Sequence, residues 1–359
     1  MRVIIAAGGT GGHIYPGIAV AREILRRDAS SEILFVGTAR GLETRIVPEN
    51  GFQLSLINSA GLKNVGIAKK IKGLALLPKS FLEARRILHE FKPDVVVGAG
   101  GYVSGPVLMM ASLIRIPTLV MDSNALPGFT NRQLARFVNK AALTFPAAMP
   151  FFGTKGVLTG NPVRHEFFDL EPSSVSVNLC ILIFGGSQGA RAINDAMIAS
   201  LPMLEAFKDR VGITHQTGEA DFEKVRDAYM RGQWDKADVR PYISDMVTEF
   251  SKAHVVICRA GATTCAELAA AGRPAIMVPL PTAADDHQRR NAEAMVAAGA
   301  GRMILQKDLR GDRLAEEIKS LMAKPEMLVE MGMAAKSFGR PDAAQATADL
   351  IEELAATNV

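Results

Sequence analysis

The sequence predicts an α/β protein of two domains, each built on an open parallel sheet. Its 359 residues are enough for two separate hydrophobic cores. Short β-branched runs alternate with segments of helix length, which is typical of parallel strands joined by helices. This alternation stops at a stretch with prolines and serines near residue 160 and then starts again. The two halves are alike in layout, so we expect two similar domains.

The first domain begins with the apolar run RVIIAA, which is followed by a glycine turn and a helix over 15–28. EILFVG and PDVVVGAG are predicted as further strands, and 104–114 as the helix after the latter. The uncharged run 95–114 has the length of a membrane span, but GAGGYVSGP in its centre would break a spanning helix. We therefore predict a strand, a glycine loop and a helix there.

The second series of strands is predicted in NLCILIF, VGITHQT, AHVVIC and PAIMVPL. Before it, TGNPVRHEFFDLEPSSVSVN is predicted as a linker, with the domain boundary near 161–164. The last segment, RPDAAQATADLIEELAATNV, is predicted as a helix with Pro341 near its start, and a frayed tail is the alternative.

Three glycine loops directly follow predicted strands: AAGGTGGH at 6–13, GAGGYVSG at 98–105 and FGGSQGAR at 184–191. We call them the first, second and third glycine loops. Glycine lets the backbone approach a ligand, and the start of the next helix offers free N–H groups to an anion. A tight turn would explain one such loop, whereas three at equivalent positions favour binding of an anion or a sugar. Two facing sheets would place the ligand in a cleft between the domains.

Several other classes of protein are disfavoured. No glycine loop has the G-x-G-x-x-G spacing of dinucleotide-binding proteins, and the phosphate loop G-x-x-x-x-G-K-[ST] is absent from the sequence. The three cysteines are too few and too irregularly spaced for a disulfide framework or a Cys-x-x-Cys site. Asp285, Asp286 and His287 are adjacent and cannot all point inward from a helix, so we expect no metal. A net charge of +4 does not suit a nucleic-acid binder.

The densest cluster of candidate residues lies in the second half, over 258–295. Ala262 to Glu267 are predicted as the first turns of a helix, whose N–H groups suit a base edge or a phosphate. The Glu267 carboxylate would accept hydrogen bonds from a ribose diol, and Gln288 would reach sugar hydroxyls. A surface helix residue is the alternative for Glu267, but its small apolar neighbours favour a ligand.

These motifs together resemble the MurG family of glycosyltransferases, which belongs to glycosyltransferase family 28. The resemblance rests on GGTGGHIYPGIAVA, GAGGYVSGP, GNPVR, GGSQGARAIN and AELAAAGRPAIMVPLPTAADDHQRRNAEAM, and it covers nearly the whole chain in the same order. It implies a GT-B fold of two Rossmann-like domains, 1–162 on the acceptor and membrane side and 163–340 for the donor. It also implies a C-terminal helix, 341–359, that packs back on the first domain.

The resemblance implies transfer of N-acetylglucosamine (GlcNAc) from UDP-GlcNAc to lipid I, giving lipid II in peptidoglycan synthesis. The family's donor contacts fall on Thr10, Gly11, Gly12, Asn124, Arg164, Ser187, Ile243, Ala262, Thr263, Thr264, Cys265, Ala266, Glu267 and Gln288. Further acceptor or diphosphate contacts are expected at Gly101, Tyr102, Ser104, Gly186 and Gln188. Ile243 and the Ala262 segment would frame uracil, and Ser187 would hold the diphosphate. Asp122 and Ser123 replace the Glu-Gln pair usual in the family, which puts any role of that glutamate in doubt.

The implied reaction is an inverting displacement and needs a base and a group that stabilises the departing UDP. His13, at the end of the first glycine loop, is the candidate base, since an imidazole with an ordinary pKa of about 6.5 suits neutral pH. A residue that packs or caps the helix start is the alternative. Arg164 and the helix after Ser187 would neutralise the leaving group without a metal or other cofactor.

Residues 63–86 hold seven Lys and Arg against one Glu. Basic and apolar side chains mix there in a pattern that predicts contact with an anionic membrane, through Lys69, Lys70, Lys72, Leu74, Leu77, Lys79 and Phe81. A solvated helix face over the core is the alternative. The apolar start lacks the features of a signal peptide. We therefore expect a peripheral protein on the cytoplasmic face of the bacterial inner membrane, with partners in the cell-wall and division machinery.

Two other functions remain open on sequence grounds. One is a related GT-B enzyme, either a lipid glycosyltransferase or a sugar-nucleotide epimerase. The other is an inactive partner protein that binds a nucleotide sugar, which the altered MDSN segment favours and the intact His13 and donor cluster disfavour.

Overall fold

The computed structural model describes residues 1–9, 11–39, 41–59, 67–171, 178–186 and 188–357, with the helical backbone alone at 67–75. The chain divides into two compact units. The first comprises 1–163 together with 340–359, and the second comprises 164–339.

The first unit is a parallel sheet with helices on its faces. Its elements are β1 (Arg2–Ala7), α1 (Gly11–Arg27), β2 (Glu32–Gly37), α2 (Glu43–Glu49), β3 (Gln53–Leu56), α3 (Ile67–Phe91), β4 (Val95–Gly100), α4 (Ser104–Leu113), β5 (Thr118–Asp122), α5 (Phe129–Leu134), β6 (Lys140–Leu143) and β7 (Gly156–Leu158). Among the described residues the strand order is β3-β2-β1-β4-β5-β6-β7. The order reverses between β1 and β4, and ligands of open α/β sheets bind at such a switch point.

The central strands of this sheet are buried on both faces, as their continuous apolar runs predict. Val3 pairs with Val95 and Ile5 with Val97 in parallel register, and all four side chains are fully buried. Because the strands are parallel, their carboxyl ends lie at the same edge of the sheet. The first and second glycine loops, which follow β1 and β4, therefore lie side by side at the switch point.

The second unit repeats this plan. Its elements are β8 (Leu179–Phe184), α6 (Arg191–Leu204), β9 (Val211–Gln216), α7 (Phe222–Arg231), β10 (Asp238–Arg240), α8 (Met246–Lys252), β11 (Val255–Cys258), α9 (Ala262–Ala271), β12 (Ala275–Met277), α10 (His287–Ala297), β13 (Gly301–Met303), α11 (Gly311–Met322) and α12 (Pro325–Phe338). The strands are parallel in the order β10-β9-β8-β11-β12-β13, so the switch point lies between β8 and β11. The third glycine loop follows β8, and α9 begins after β11.

The C-terminal helix α13 (Ala343–Ala356) belongs to the first unit. Its Leu350, Ile351 and Leu354 are buried in the same hydrophobic cluster as β1 and α1. Arg27 of α1 donates to Asp349 at 2.6 Å. Apolar burial on one helix face, and not the exposed ion pair, accounts for most of this attachment.

Part of the stretch predicted as a linker packs tightly on the second unit. Phe167 is fully buried and meets Phe250 edge to face, with ring centroids 5.1 Å apart. The Lys336 ammonium donates to the Phe168 carbonyl at 2.8 Å, and the buried Arg273 donates to the Glu171 carbonyl at 2.8 Å. The sequence did not predict this packing, because Phe167 is a single aromatic residue and its segment is held by Lys336 and Arg273 from far along the chain. Such contacts produce no periodic pattern in the sequence.

Candidate functional site

The first and second glycine loops touch through their backbones. The Gly8 N–H donates to the Gly100 carbonyl at 3.3 Å. Gly101 has a φ of +84°, and a Cβ there would collide with the Gly8 carbonyl oxygen. Glycine is therefore required at Gly101 both by its backbone conformation and by the close approach of the loops.

His13 lies in the first turn of α1, which begins at Gly11. Its half-buried imidazole packs directly over Gly100, where a Cβ would overlap the ring. The side chain is thus held at the switch point of the first unit, between the two glycine loops. This is where a ligand of the first unit is expected.

Two other candidates of the second glycine loop have different environments. Ser104 is fully buried, and its hydroxyl lies 3.0 Å from the Ala6 carbonyl oxygen and accepts the Gly100 N–H at 3.1 Å. Its hydroxyl therefore braces the loop from inside. Tyr102 is 56% exposed, and its carbonyl accepts a hydrogen bond from the Ser59 hydroxyl at 2.9 Å.

Asp122 ends β5 and is buried. Its carboxylate accepts hydrogen bonds from the Asn124 N–H at 3.0 Å, the Gly128 N–H at 3.0 Å and the Asn131 side-chain amide at 2.8 Å. Burial raises the pKa of this carboxyl, and the three hydrogen bonds oppose that shift. Asp122 thus anchors the loop that carries the candidate donor contact Asn124.

A small cavity of about 10 Å³ lies beside Asp122, also lined by Ser123, Thr144 and Asn161. The Nδ2 of the buried Asn161 has no hydrogen-bond partner. A cavity of this size with polar walls has room for one water molecule, which would satisfy that amide.

In the second unit, the third glycine loop rests on the segment after β9. The Gly189 N–H donates to the Gly186 carbonyl at 2.9 Å. Gly189 has a φ of +72°, and a Cβ there would collide with the Thr217 carbonyl oxygen. A Cβ on Gly218 would in turn collide with the carbonyl oxygen of Gln188. This close packing of the backbone at Gly189 and Gly218 fixes the shape of the third glycine loop.

Gln216, at the end of β9, joins two candidate donor elements. Its Nε2 donates to the Gly186 carbonyl at 2.9 Å, and its Oε1 accepts the Ile243 N–H at 2.8 Å. The Ile243 N–H is therefore already occupied. Gln216 was not among the predicted site residues, although the polar HQT that ends an apolar strand was a usable signal, because a buried polar group needs a partner.

The start of α9 is suited to a polar ligand. As predicted, Ala262 to Glu267 form its first turns, and the N-cap residue Gly261 has no side chain to bind the first N–H groups. The Thr263 hydroxyl is buried without a hydrogen-bond partner. Cys265 is buried, and burial raises the pKa of its thiol to about 12, so it is not a thiolate at neutral pH.

Glu267 carries the one carboxyl group among the candidate donor residues. Burial raises its pKa to about 7, and the positive charge of Arg164 opposes the shift. Arg164 itself is held with its guanidinium 4.9 Å above the ring of Phe167. A carboxylate poised near neutral pH beside an arginine is typical of a functional site.

Gln288 lies in the first turn of α10, and its Oε1 accepts the Leu280 N–H at 2.9 Å. The side-chain NH₂ is then the group that would donate to a sugar hydroxyl. Asp285 and Asp286 just before it both have left-handed backbone conformations, with φ values of 57° and 55°. Strained non-glycine residues of this kind concentrate at ligand-binding sites.

The described candidates are divided between the two units. The first unit carries Gly11, Gly12, His13, Gly101, Tyr102, Ser104 and Asn124, and the second carries Arg164, Gly186, Gln188, Ile243, Ala262 to Glu267 and Gln288. Thr10 and Ser187 lie outside the described residues. Within the described ranges no three His, Cys, Asp or Glu side chains are arranged to hold a metal ion. No described helix is both long and apolar enough to cross a bilayer.

Known proteins match both units. The glycosyltransferase family 28 N-terminal domain matches residues 3–143, and the family 28 C-terminal domain matches residues 180–347. A curated relative from Anaeromyxobacter sp. (strain Fw109-5) is named UDP-N-acetylglucosamine--N-acetylmuramyl-(pentapeptide) pyrophosphoryl-undecaprenol N-acetylglucosamine transferase. It is 47% identical over 357 residues, which cover 99% of this chain and 93% of the relative.

Solved structures agree with these matches. The crystal structure of Acinetobacter baumannii MurG has a TM-score of 0.82 at 32% identity, covering 98% of this chain and 99% of that one. A UDP-GlcNAc 2-epimerase from Neisseria meningitidis, bound to UDP-GlcNAc, has a TM-score of 0.70 at 15% identity and covers 98% of this chain and 100% of that one. The latter likeness is one of fold alone.

Two Rossmann-like units with glycine loops at their switch points define a protein of the GT-B type, and the predicted fold class is confirmed. The chain belongs to glycosyltransferase family 28, and within it to the MurG family.

Proposed function

We propose that this protein transfers GlcNAc from UDP-GlcNAc to the muramyl 4-hydroxyl of lipid I, with inversion, and so forms lipid II for peptidoglycan. The observation that carries the proposal is the 47% identity, over 99% of the chain, to a transferase named for this reaction. The likeness to MurG over 98% of the chain also supports it. The second unit would bind the donor, and the first would supply the base and meet the acceptor and the membrane.

The donor would be bound at the switch point of the second unit. The unpartnered Thr263 hydroxyl and the uncapped start of α9 support binding of the uracil base there. The Glu267 carboxylate would accept hydrogen bonds from the ribose diol, and the third glycine loop would cradle the diphosphate. The Gln288 NH₂ would donate to a GlcNAc hydroxyl.

The reaction breaks one bond and forms another at the anomeric carbon. The acceptor oxygen attacks that carbon from the face opposite the diphosphate, and the bond to the diphosphate oxygen breaks with its electron pair leaving on UDP. His13 would take the proton of the attacking hydroxyl. Arg164 and the N–H groups of the third glycine loop would stabilise the charge that develops on UDP.

Transfer of labelled GlcNAc to a short-chain lipid I analogue tests the function. We expect a product with a β-1,4 bond from UDP-GlcNAc and much less product from UDP-glucose or UDP-GalNAc. Transfer to diacylglycerol instead would favour a related lipid glycosyltransferase, and conversion of UDP-GlcNAc to its epimer would favour an epimerase. Donor binding without any product would favour an inactive binding protein.

The affinity for UDP-GlcNAc is expected to rise with pH through neutrality. The pKa of Glu267 is raised to about 7, so the group is largely protonated at pH 6 and ionised at pH 8. The carboxylate accepts a charge-assisted hydrogen bond at each oxygen, whereas protonation turns one of these oxygens into a donor, so affinity should increase up to about tenfold between these pH values. Calorimetric titration of UDP-GlcNAc checks this.

A matched pair of variants tests the assignment to Glu267. Glu267→Gln should bind UDP-GlcNAc weakly and without this pH dependence. Glu293→Gln, on the neighbouring helix α10, should keep the pH dependence because Glu293 pairs with Arg289 and Arg290 at the surface. An unchanged pH profile in Glu267→Gln would contradict the assignment.

We further propose that α3 contacts an anionic membrane on the cytoplasmic side. Of the segment predicted to do so, Leu77 and Phe81 are half-buried and Lys79 is exposed, whereas the side chains of Lys69, Lys70, Lys72 and Leu74 lie outside the described residues. Leu82, one residue beyond, is 66% exposed. An exposed leucine beside basic residues supports membrane contact, while the buried Ala84 and Leu88 face the core.

Sedimentation with vesicles containing phosphatidylglycerol tests this surface. The variant Lys79→Glu/Leu82→Ser should bind such vesicles about tenfold more weakly, since each basic group near the surface contributes about 1 kcal/mol. Lys307→Glu/Met230→Ser makes the same charge reversal and a similar apolar-to-serine change at exposed positions of the second unit, and it should bind normally. Equal binding by both variants would contradict the proposal.

A further inference from the structure

Glu43, at the start of α2, is a fully buried acidic residue beside the first glycine loop. Its Oε2 accepts the Gly9 N–H at 3.0 Å. Its Oε1 accepts both the Thr38 N–H at 2.9 Å and the Thr38 hydroxyl at 2.8 Å. One carboxylate therefore binds the loop after β1 to the loop after β2.

The surroundings of this carboxylate are shaped to hold it. A Cβ on Gly41 would collide with the carboxylate, a Cβ on Gly37 would lie 2.5 Å from the Glu43 Cγ, and a Cβ on Gly8 would lie 3.0 Å from Oε1. Three glycines thus leave the space that the side chain fills. The absence of side chains at these glycines makes room for the Glu43 side chain, and not only for an external ligand.

The carboxylate is bound as an anion. Burial alone would raise the pKa of Glu43, but the hydrogen bonds from Thr38, Gly9 and its own backbone outweigh burial, and the net pKa is lowered. Backbone N–H groups of a glycine loop that converge on one point form an anion site. The Gly9 N–H of the first glycine loop is occupied by a carboxylate of the protein itself.

We propose that Glu43 is a positioning residue: it acts as a built-in anion that fixes the first glycine loop and, through it, His13. The first glycine loop then positions His13 as the base, and its Gly9 N–H does not bind the diphosphate of the donor. This inference rests on the proposed function, since it assigns Glu43 a part in the transfer reaction.

Two variants of Glu43 test the inference. Glu43→Gln keeps the size of the side chain but removes its charge and turns one acceptor into a donor. Loss of a hydrogen bond to a charged group should lower kcat for transfer to the lipid I analogue about tenfold or more. The dissociation constant for UDP-GlcNAc should change less than kcat, because Glu267, Arg164 and Gln288 lie on the second unit. The expected donor contacts Gly11 and Gly12 lie on the loop that Glu43 holds, so a smaller loss of affinity is expected as well.

Glu43→Ala leaves a cavity of the size of a small carboxylate. Sodium formate should raise both its melting temperature and its kcat, with sodium chloride at equal ionic strength as the control salt. The unsubstituted protein and Glu43→Gln should not respond to formate. A purely packing role would predict lower stability that formate does not restore.

Glu23 provides the matched control. It is a buried glutamate of the same unit, but it is bound by Arg26 and Arg27 near the end of α1, away from the glycine loops. Glu23→Gln should lower stability and leave kcat unchanged.

An unchanged kcat in folded Glu43→Gln, or no response of Glu43→Ala to formate, would overturn the inference. If the unsubstituted protein transfers no GlcNAc, the proposed function fails instead. The melting temperature of Glu43→Ala in formate still tests the anion site in that case.

Discussion

Replacing His13 by alanine is expected to lower kcat about a hundredfold or more and to leave the affinity for UDP-GlcNAc close to normal. His13 is held over Gly100 at the switch point of the first unit, in the first turn of α1. Glu267, Arg164 and Gln288 belong to the other unit and are untouched by the change.

Single-turnover transfer to the lipid I analogue and calorimetric titration of UDP-GlcNAc measure the two effects separately. His89→Ala removes an exposed histidine of the same unit and serves as the control, with normal values expected for both. Normal turnover by His13→Ala together with weak donor binding would remove the base assignment. It would favour the alternative that His13 packs and caps the helix start.

The parts of the fold that sequence alone predicted are those with a local signal. β1, β4 and β8 were predicted because each contains an apolar run that leads into glycines, and near-continuous apolar runs are typical of parallel strands buried on both faces. The start of α9 was predicted because a glycine turn follows an apolar strand and precedes the alanine-rich segment ATTCAELAAA. The linker was only partly predicted, because the burial of Phe167 depends on Phe250, far along the chain.

The parts that were missed depend on contacts between distant residues. Glu43 is 34 residues from Gly9, and a single acidic residue at the start of a short helix is ordinarily exposed. Gln216 joins Gly186 and Ile243, which lie on two separate loops. Asp122 stood out only as a departure from the family pattern, and the structure adds that it anchors the 122–131 loop.

The first and third glycine loops follow equivalent strands but are braced by groups of different charge. A carboxylate, Glu43, accepts the Gly9 N–H of the first loop. A neutral amide, Gln216, donates to the Gly186 carbonyl of the third loop and leaves its N–H groups unclaimed by that side chain. A negative charge beside a loop disfavours a phosphate, and a neutral donor to a carbonyl does not. This difference in chemistry favours the third loop as the one that binds the diphosphate.

Replacing Gly189 by alanine is therefore expected to weaken UDP-GlcNAc binding about tenfold or more, a loss of at least about 1.4 kcal/mol. The added Cβ would collide with the Thr217 carbonyl oxygen, which neither the loop nor the end of β9 can avoid without moving. The left-handed backbone of a non-glycine residue costs a further 1 to 2 kcal/mol, roughly, in stability. Calorimetry with UDP-GlcNAc and thermal unfolding measure the two effects.

Gly299 separates backbone strain from the collision. It belongs to the same unit and has a nearly equal φ of +75°, but the nearest atom to its Cβ position is the Ala334 Cβ, at 3.7 Å. Gly299→Ala should lower the melting temperature through strain alone and bind UDP-GlcNAc normally. If both variants bind normally, the third glycine loop does not position the donor. If both variants lose affinity for UDP-GlcNAc equally, backbone strain anywhere in the second unit is enough to weaken binding. The close packing of Gly189 on Thr217 would then not be the cause.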